Sequence, residues 1–197
     1  IKNCTITLNS IVGATVIYSA GIFISNFSGA VPVTVSSTGG RSESIKIFNN
    51  TITKSYVGIH LRGYNASAPY DFYDQNIEVG VEGANNITGF GGGATTAYGF
   101  YAIYQSNVKI ANNIVIGGAS STGSVYGIFT STGTESNVDI YGNTVTVQGG
   151  STLVSTSGIN NGMGSGSTSI VNIYNNTITG CSNPSATAGD MALCYNV

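Results

Sequence analysis

The chain has 197 residues, of which 41% are hydrophobic, but only 7% are charged and the net charge is −2, whereas globular proteins have about 25% charged residues. Disorder of the strongly acidic or basic kind combines low hydrophobicity with high net charge, so this composition excludes it. Six Lys and Arg residues cannot supply the basic surface that nucleic-acid binding requires. No apolar run approaches the roughly 18 residues of a membrane-spanning helix.

Strand-forming residues dominate from the first residue onward. Gly, Ser, Thr, Val and Ile are abundant, whereas Leu, Glu, Lys and Arg are scarce, which favours strands over helices. The opening segment 1–6 already has the pattern of the middle of a strand, so we expect residues 1–197 to form one all-β segment of a longer chain.

One six-residue phrase recurs along the chain. It consists of an apolar residue, a spacer, two Asn-like residues, a spacer and another apolar residue. The copies are Ile1–Ile6, Ile47–Ile52, Phe72–Ile77, Ile110–Val115, Ile140–Val145 and Ile173–Ile178.

A second phrase, glycine followed by an apolar residue, comes after each of the first five copies. These pairs are Gly21-Ile22, Gly58-Ile59, Gly99-Phe100, Gly127-Ile128 and Gly158-Ile159, with Ala192-Leu193 in the sixth place. The shortest interval between copies predicts a unit of about 25 residues, which cannot bury its own apolar face and must stack on its copies. The repeat therefore predicts a parallel β-solenoid of about six coils with Gly- and Ser-rich inserted loops.

The alternation of side chains along a strand predicts which residues face the core. Two inner rows are expected, namely Ile1, Ile47, Phe72, Ile110, Ile140 and Ile173, and Ile6, Ile52, Ile77, Val115, Val145 and Ile178. One outer row should alternate in charge through Lys46, Asp71, Lys109, Asp139 and Asn172. The Asn pair should lie at a bend, where its amides can bond from coil to coil.

The phrase Asn49-Asn50-Thr51-Ile52 and its copies resemble the right-handed parallel β-helix repeat proteins. That fold is shared by pectate-lyase-like enzymes and by many large bacterial surface proteins. The resemblance covers the whole chain and implies a right-handed parallel β-helix, most similar to the non-enzymatic repeat regions of surface or secreted proteins. It says almost nothing about activity.

Aromatic side chains should form a stripe on the outside of the coils. The parity set by Gly58-Ile59 places four rings and one Arg outward, and these are the candidate ligand-binding residues: Phe23, His60, Arg62, Tyr101 and Phe129. Such rings can stack on sugars, or they can lie beneath the inserted loops. A second outer stripe is expected from Phe48, Tyr73, Ala111, Tyr141 and Tyr174.

Acidic residues of the third coil offer an alternative function, a polysaccharide-active lyase or glycoside hydrolase. Asp71, Asp74, Glu78 and Glu82 fall on one coil, and paired carboxylates are the usual machinery of glycoside cleavage. The alternative interpretation makes Asp71 part of the charged row and leaves Glu78 and Glu82 solvated. No catalytic residue, metal ligand or cofactor is assigned, and a single histidine excludes a histidine-cluster metal site.

Outward Thr pairs offer a minor alternative, an ice-binding solenoid. The pairs are Thr5/Thr7, Thr51/Thr53, Thr144/Thr146 and Thr177/Thr179. We expect this array to be interrupted by Asn76/Glu78 and by Ile114/Ile116, and strand propensity explains Thr at these positions equally well.

Three cysteines, Cys4, Cys181 and Cys194, complete the candidate residues. Cys181 and Cys194 belong to the last coil and are candidates for a disulfide if the compartment is oxidising.

The sequence as a whole favours a structural or adhesive β-helix stalk or binding module of a secreted or cell-surface protein. Expected partners are a carbohydrate or protein ligand and flanking domains of the same chain, because an uncapped solenoid exposes strand edges.

Overall fold

A computed structural model describes residues 1–9, 19–28, 31–150, 155–187 and 191–196. The regular secondary structure of these ranges is all β apart from one short 3-10 helix at Thr38–Gly40. In chain order the strands are β1 (Thr5–Thr7), β2 (Ala20–Ser25), β3 (Phe27–Ser28), β4 (Val31–Pro32), β5 (Lys46–Ile47), β6 (Thr51–Thr53), β7 (Val57–Arg62), β8 (Asp74–Val79), β9 (Asn86–Phe90), β10 (Ala97–Ile103), β11 (Gln105–Ala111), β12 (Ile114–Gly117), β13 (Val125–Gly133), β14 (Val138–Tyr141), β15 (Thr144–Val147), β16 (Thr156–Met163), β17 (Val171–Tyr174), β18 (Thr177–Ile178) and β19 (Met191–Asn196).

Three parallel sheets run along the molecule and confirm the predicted parallel β-solenoid. Sheet I has the order β5-β8-β11-β14-β17, sheet II the order β1-β6-β9-β12-β15-β18, and sheet III the order β2-β7-β10-β13-β16-β19. The chain passes from sheet I to sheet II to sheet III and then begins the next coil. A separate antiparallel pair joins β3 to β4. No helix in the described ranges has the length and hydropathy needed to cross a bilayer.

The inner faces of the three sheets enclose one aliphatic core. Ile47, Ile110 and Ile140 are completely buried, whereas Ile6 in the first coil and Ile173 in the last are only half-buried. The core is therefore covered on both sides only in the coils between the two terminal ones. Counted in this way, the solenoid has about four complete coils, which is fewer than the six predicted.

The register of the third coil differs from the prediction by seven residues in sheet I and by ten in sheet II. Val79, not Phe72, pairs with both Ile47 and Ile110, and Ile87, not Ile77, pairs with Ile52. The positions that stack, Ile47, Val79, Ile110, Ile140 and Ile173, are 32, 31, 30 and 33 residues apart. The unit is thus longer than 25 residues, because the segment containing Phe72 is a loop of the second coil.

The outer charged row survives with one replacement. Lys46 pairs with Glu78, Glu78 with Lys109, and Lys109 with Asp139, so Glu78 occupies the position predicted for Asp71. The Lys46 and Lys109 ammonium groups lie 3.7 and 3.5 Å from Glu78 carboxylate oxygens. Exposed pairs of this kind each contribute at most about 1 kcal/mol, but they set the register against like-charge neighbours.

A buried amide ladder confirms the predicted role of the Asn pair. Each side-chain amide donates to the next amide oxygen, at 2.9 Å from Asn50 to Asn85, 2.8 Å to Asn113, 3.1 Å to Asn143 and 2.9 Å to Asn176. All five of these amides also donate to a backbone carbonyl of the preceding coil, as Asn85 does to Ile47. Asn85, rather than the Asp74-Gln75 pair of the predicted phrase, represents the third coil.

A second, exposed ladder was not predicted. The Asn107 amide donates to Asn76 Oδ1 at 3.3 Å, and the Asn137 amide donates to Asn107 Oδ1 at 2.9 Å. Asn76, at a spacer position of the phrase Phe72–Ile77, therefore belongs to this other ladder.

Candidate functional site

The outer face of sheet III carries the predicted aromatic stripe. Phe23 pairs with His60, His60 with Tyr101, and Tyr101 with Phe129, so the four rings occupy one row along the coils. Arg62 lies two residues beyond His60 in a neighbouring row, between Ser25 and Ile103. The five candidate residues thus share one face.

Two further rings on this face were missed from the sequence. Tyr98 pairs with Tyr126, and the Tyr98 ring stacks on Tyr101 at 4.4 Å between centroids. Strict alternation would place residues 98 and 101 on opposite faces. The chain bends at Gly99, where a Cβ would point inward to within 2.2 Å of Val115 Cγ1. The recurring glycine was the signal for this bend.

Together these rings form what we call the aromatic rows: Phe23, His60, Tyr98, Tyr101, Tyr126 and Phe129. Their centroids are 4.4–5.6 Å apart, and the ring planes differ by only 11–28°. Each ring therefore has at least one face turned toward a neighbouring ring. What the rows present outward is mainly ring edges, so face-on stacking of a sugar is restricted. Ligand binding by these residues stays a prediction.

His60 is the most deeply buried of the candidate residues, with no exposed surface. Its ring lies 4.8 Å from Phe23 and 4.7 Å from Tyr101. Burial, and then the positive charge of Arg62, lower the pKa of His60 to about 3. The imidazole is therefore uncharged near neutral pH and serves as an aromatic member of the stack.

The four acids of the enzymatic alternative are engaged in separate contacts. Asp74 is buried, and its Oδ1 accepts hydrogen bonds from Asn26 Nδ2 at 3.1 Å and from the Ser42 amide at 2.8 Å. Burial raises the pKa of Asp74, although these hydrogen bonds oppose the shift. Glu78 instead lies on the outer face of sheet I, and Glu82 lies just after β8.

Those two glutamates share a lysine. Glu82 forms an ion pair with Lys46, which also contacts Glu78, and ion pairing with Glu82 raises the pKa of Lys46. Asp71 lies in the loop before β8, where its backbone carbonyl accepts a hydrogen bond from Arg41. In the described part of the chain, no group of three His, Cys, Asp or Glu side chains is placed to hold a metal.

The structure confirms only part of the second predicted outer stripe. Ala111, Tyr141 and Tyr174 are in register, and the Tyr141 and Tyr174 rings stack at 5.1 Å. Tyr73 is not a member, because in the third coil Val79, not Phe72, is in register with Ile47, the residue before Phe48. The Tyr73 ring is instead buried near Tyr104, at 5.8 Å between centroids.

All three cysteines are free thiols in the structure, so the bridge predicted between Cys181 and Cys194 is not formed in it. Cys181 packs against the core, and its Sγ accepts a hydrogen bond from the Val147 amide at 3.5 Å. Bridging under oxidising conditions stays a prediction.

Two inserted segments line an open cavity of about 270 Å³, which we call the loop pocket. It lies between Val35 of the first insertion and residues 64–69, 71 and 72 of the second. The sequence did not predict it, since neither segment belongs to the repeat.

Scans of protein-family models, curated proteins and solved structures found no match to this chain. Its functional assignment therefore depends on the surfaces just described.

Proposed function

We propose that the chain is a stiff structural and adhesive module of a secreted or cell-surface protein. In this role the three sheets form the rod. The side chains on the outer face of sheet III contact a carbohydrate or a partner protein. The low charge and the abundance of Ser, Thr and Asn suit an exposed surface.

The aromatic rows are the observation that carries this proposal. Tyr98, Tyr101 and Tyr126 are half-buried, and stacking fixes their rings before any partner arrives. Tyrosine edges offer both apolar contact and a hydroxyl at low entropic cost, which is why they are common in binding surfaces. Side chains that are already ordered add affinity because less freedom is lost on binding.

The adhesive role predicts that Tyr101→Ala with Phe129→Ala weakens binding on glycan arrays and to immobilised surface proteins. Tyr141→Ala with Tyr174→Ala is the matched control, because it removes a stacked pair from another sheet. Circular dichroism should show both double variants folded. Equal binding by wild type and Tyr101→Ala/Phe129→Ala would remove the aromatic rows from the proposal.

Ice binding is a second candidate, because the third coil now fits the threonine array. Sheet II places Asn86 and Thr88, not Asn76 and Glu78, beside Thr51 and Thr53. The first outer row is Thr5, Thr51, Asn86, Ile114, Thr144 and Thr177. The second outer row is Thr7, Thr53, Thr88, Ile116 and Thr146. Thr179, two residues after Thr177, comes next in the last coil.

These threonine rows are uncharged and regular. Their spacing is about 4.8 Å between coils and about 6.6 Å along each strand, and β-branched side chains are stiff at χ1. The Thr53 hydroxyl also donates to Thr7 at 3.0 Å. Such a surface can order water in two dimensions, and only Ile114 and Ile116 lack a hydroxyl or amide.

Ice binding predicts thermal hysteresis by the wild-type chain. Thr88→Tyr should remove most of it by breaking the rows, Ile114→Thr with Ile116→Thr should raise it, and Asn172→Tyr on sheet I should leave it unchanged. The candidate fails if the wild type neither depresses freezing nor shapes ice crystals.

A further inference from the structure

The loop pocket differs in construction from the rest of the surface, because non-repeating segments form it. Its floor is apolar, with Val35 and Ala66 buried, and the half-buried rings of Tyr64 and Phe72 line its sides. Exposed polar residues stand at its rim, namely Asn65, Ser67 and Asp71. An apolar base with a few polar groups is the usual composition of a small-molecule site.

Hydrogen bonds hold both walls of this pocket. In the second insertion, the Tyr70 amide donates to the Ser67 carbonyl at 2.9 Å and the Gly63 amide donates to the Ile103 carbonyl at 3.1 Å. Arg41 ties the first insertion to the second through the Asp71 carbonyl.

The Asp74 carboxylate holds the two ends of the first insertion together. Its Oδ1 accepts hydrogen bonds from Asn26 and Ser42, residues that lie on either side of the segment containing Val35. The pocket is therefore ordered before a ligand enters, which lowers the entropic cost of binding.

The size and charge of the pocket restrict what it can hold. Small-molecule sites usually have about 300–1,000 Å³, so a cavity of 270 Å³ suits one ring rather than a chain of rings. Asp71 is the only ionisable acid or base among the lining residues apart from the Tyr64 phenol, and its carboxylate repels an acidic ligand. A sugar ring has an apolar C–H face for Tyr64 or Phe72 and hydroxyls for Asn65 and Asp71.

We propose that the loop pocket binds a single uncharged sugar residue. The ring packs against Tyr64 and Phe72, and its hydroxyls donate to the Asp71 carboxylate. This inference shares with the adhesive function only the carbohydrate class of ligand, and it concerns a different surface from the aromatic rows.

The test is an NMR titration of the isolated chain with methyl glycosides of glucose, galactose, mannose and glucuronic acid. At least one neutral glycoside should give saturable shifts, and the glucuronide should bind more weakly than the matching glucoside. Asp71→Asn should weaken binding, whereas the matched change Asp139→Asn on sheet I should not.

A second variant tests the pocket by filling it with a bulky side chain instead of removing a polar group. Ser67→Trp should fill the rim and abolish binding, while Tyr141→Ala/Tyr174→Ala on sheet I should leave it intact. The inference is overturned if no neutral glycoside saturates, or if Ser67→Trp and Asp71→Asn bind like wild type. Loss of binding only in Tyr101→Ala/Phe129→Ala would instead support the aromatic rows as the sugar site.

Discussion

His60 shows how tertiary surroundings change the chemistry of one residue. The sequence places it outward beside Arg62, where a solvated imidazole could act on a ligand. In the structure its ring is buried between Phe23 and Tyr101, and its pKa falls from 6.5 to about 3. A buried ring that stays neutral is suited to stacking rather than to proton transfer near neutral pH.

His60 should make the stability of the protein depend on pH. Since its pKa is lower in the folded state, the unfolded chain binds more protons between pH 6.5 and about 3. His60 therefore stabilises the fold fully above pH 6.5, and this contribution is lost as pH falls toward 3. The local slope should approach about 1.4 kcal/mol per pH unit.

The measurement is urea unfolding of wild type and His60→Phe across this pH range. The difference in unfolding free energy should be constant above pH 6.5 and should change below it, because Phe keeps the stack but cannot be protonated. Other titrating groups largely cancel in the comparison. A difference that does not vary with pH would contradict the low pKa.

Five of the six strands of sheet III, all except β19, contain a bend that depends on a glycine. A Cβ on Gly58 would lie 2.2 Å from the Gly99 carbonyl oxygen and 2.4 Å from Ile87 Cγ2. Because this glycine faces inward, the residues that flank the bend can both face outward, as Tyr98 and Tyr101 do around Gly99 in the next coil. The Gly-apolar phrase of the sequence is therefore a packing requirement between neighbouring coils.

Gly58→Ala should destabilise the fold by about 1–3 kcal/mol or more, as overpacking of a tight core does. Gly39→Ala is the control, since its Cβ would meet only Ser37 Oγ at 3.9 Å, and it should change stability by less than about 0.5 kcal/mol. Urea denaturation of both variants measures the difference. Similar midpoints for the two would show that the neighbouring coil yields to the extra methyl group.

At the scale of the whole molecule, each of the three sheets carries a different kind of outer surface. Sheet I carries the charged row, sheet II the threonine rows, and sheet III the aromatic rows. Inserted segments, which interrupt the repeat between sheets III and I, build the loop pocket. The repeat thus supplies a regular scaffold, and the departures from it supply the concave site.

The sequence by itself determined the all-β class, the stacking of coils, the Asn ladder and most of the register. It did so because neighbours in a solenoid are copies of one another, so a periodic pattern states which residues meet. The tertiary structure alone decided the position of Val79 over Ile47, the burial of His60, the mutual covering of the aromatic faces and the loop pocket. These depend on insertions and on contacts between segments that do not repeat, and no local period encodes how such segments fold back on the coils.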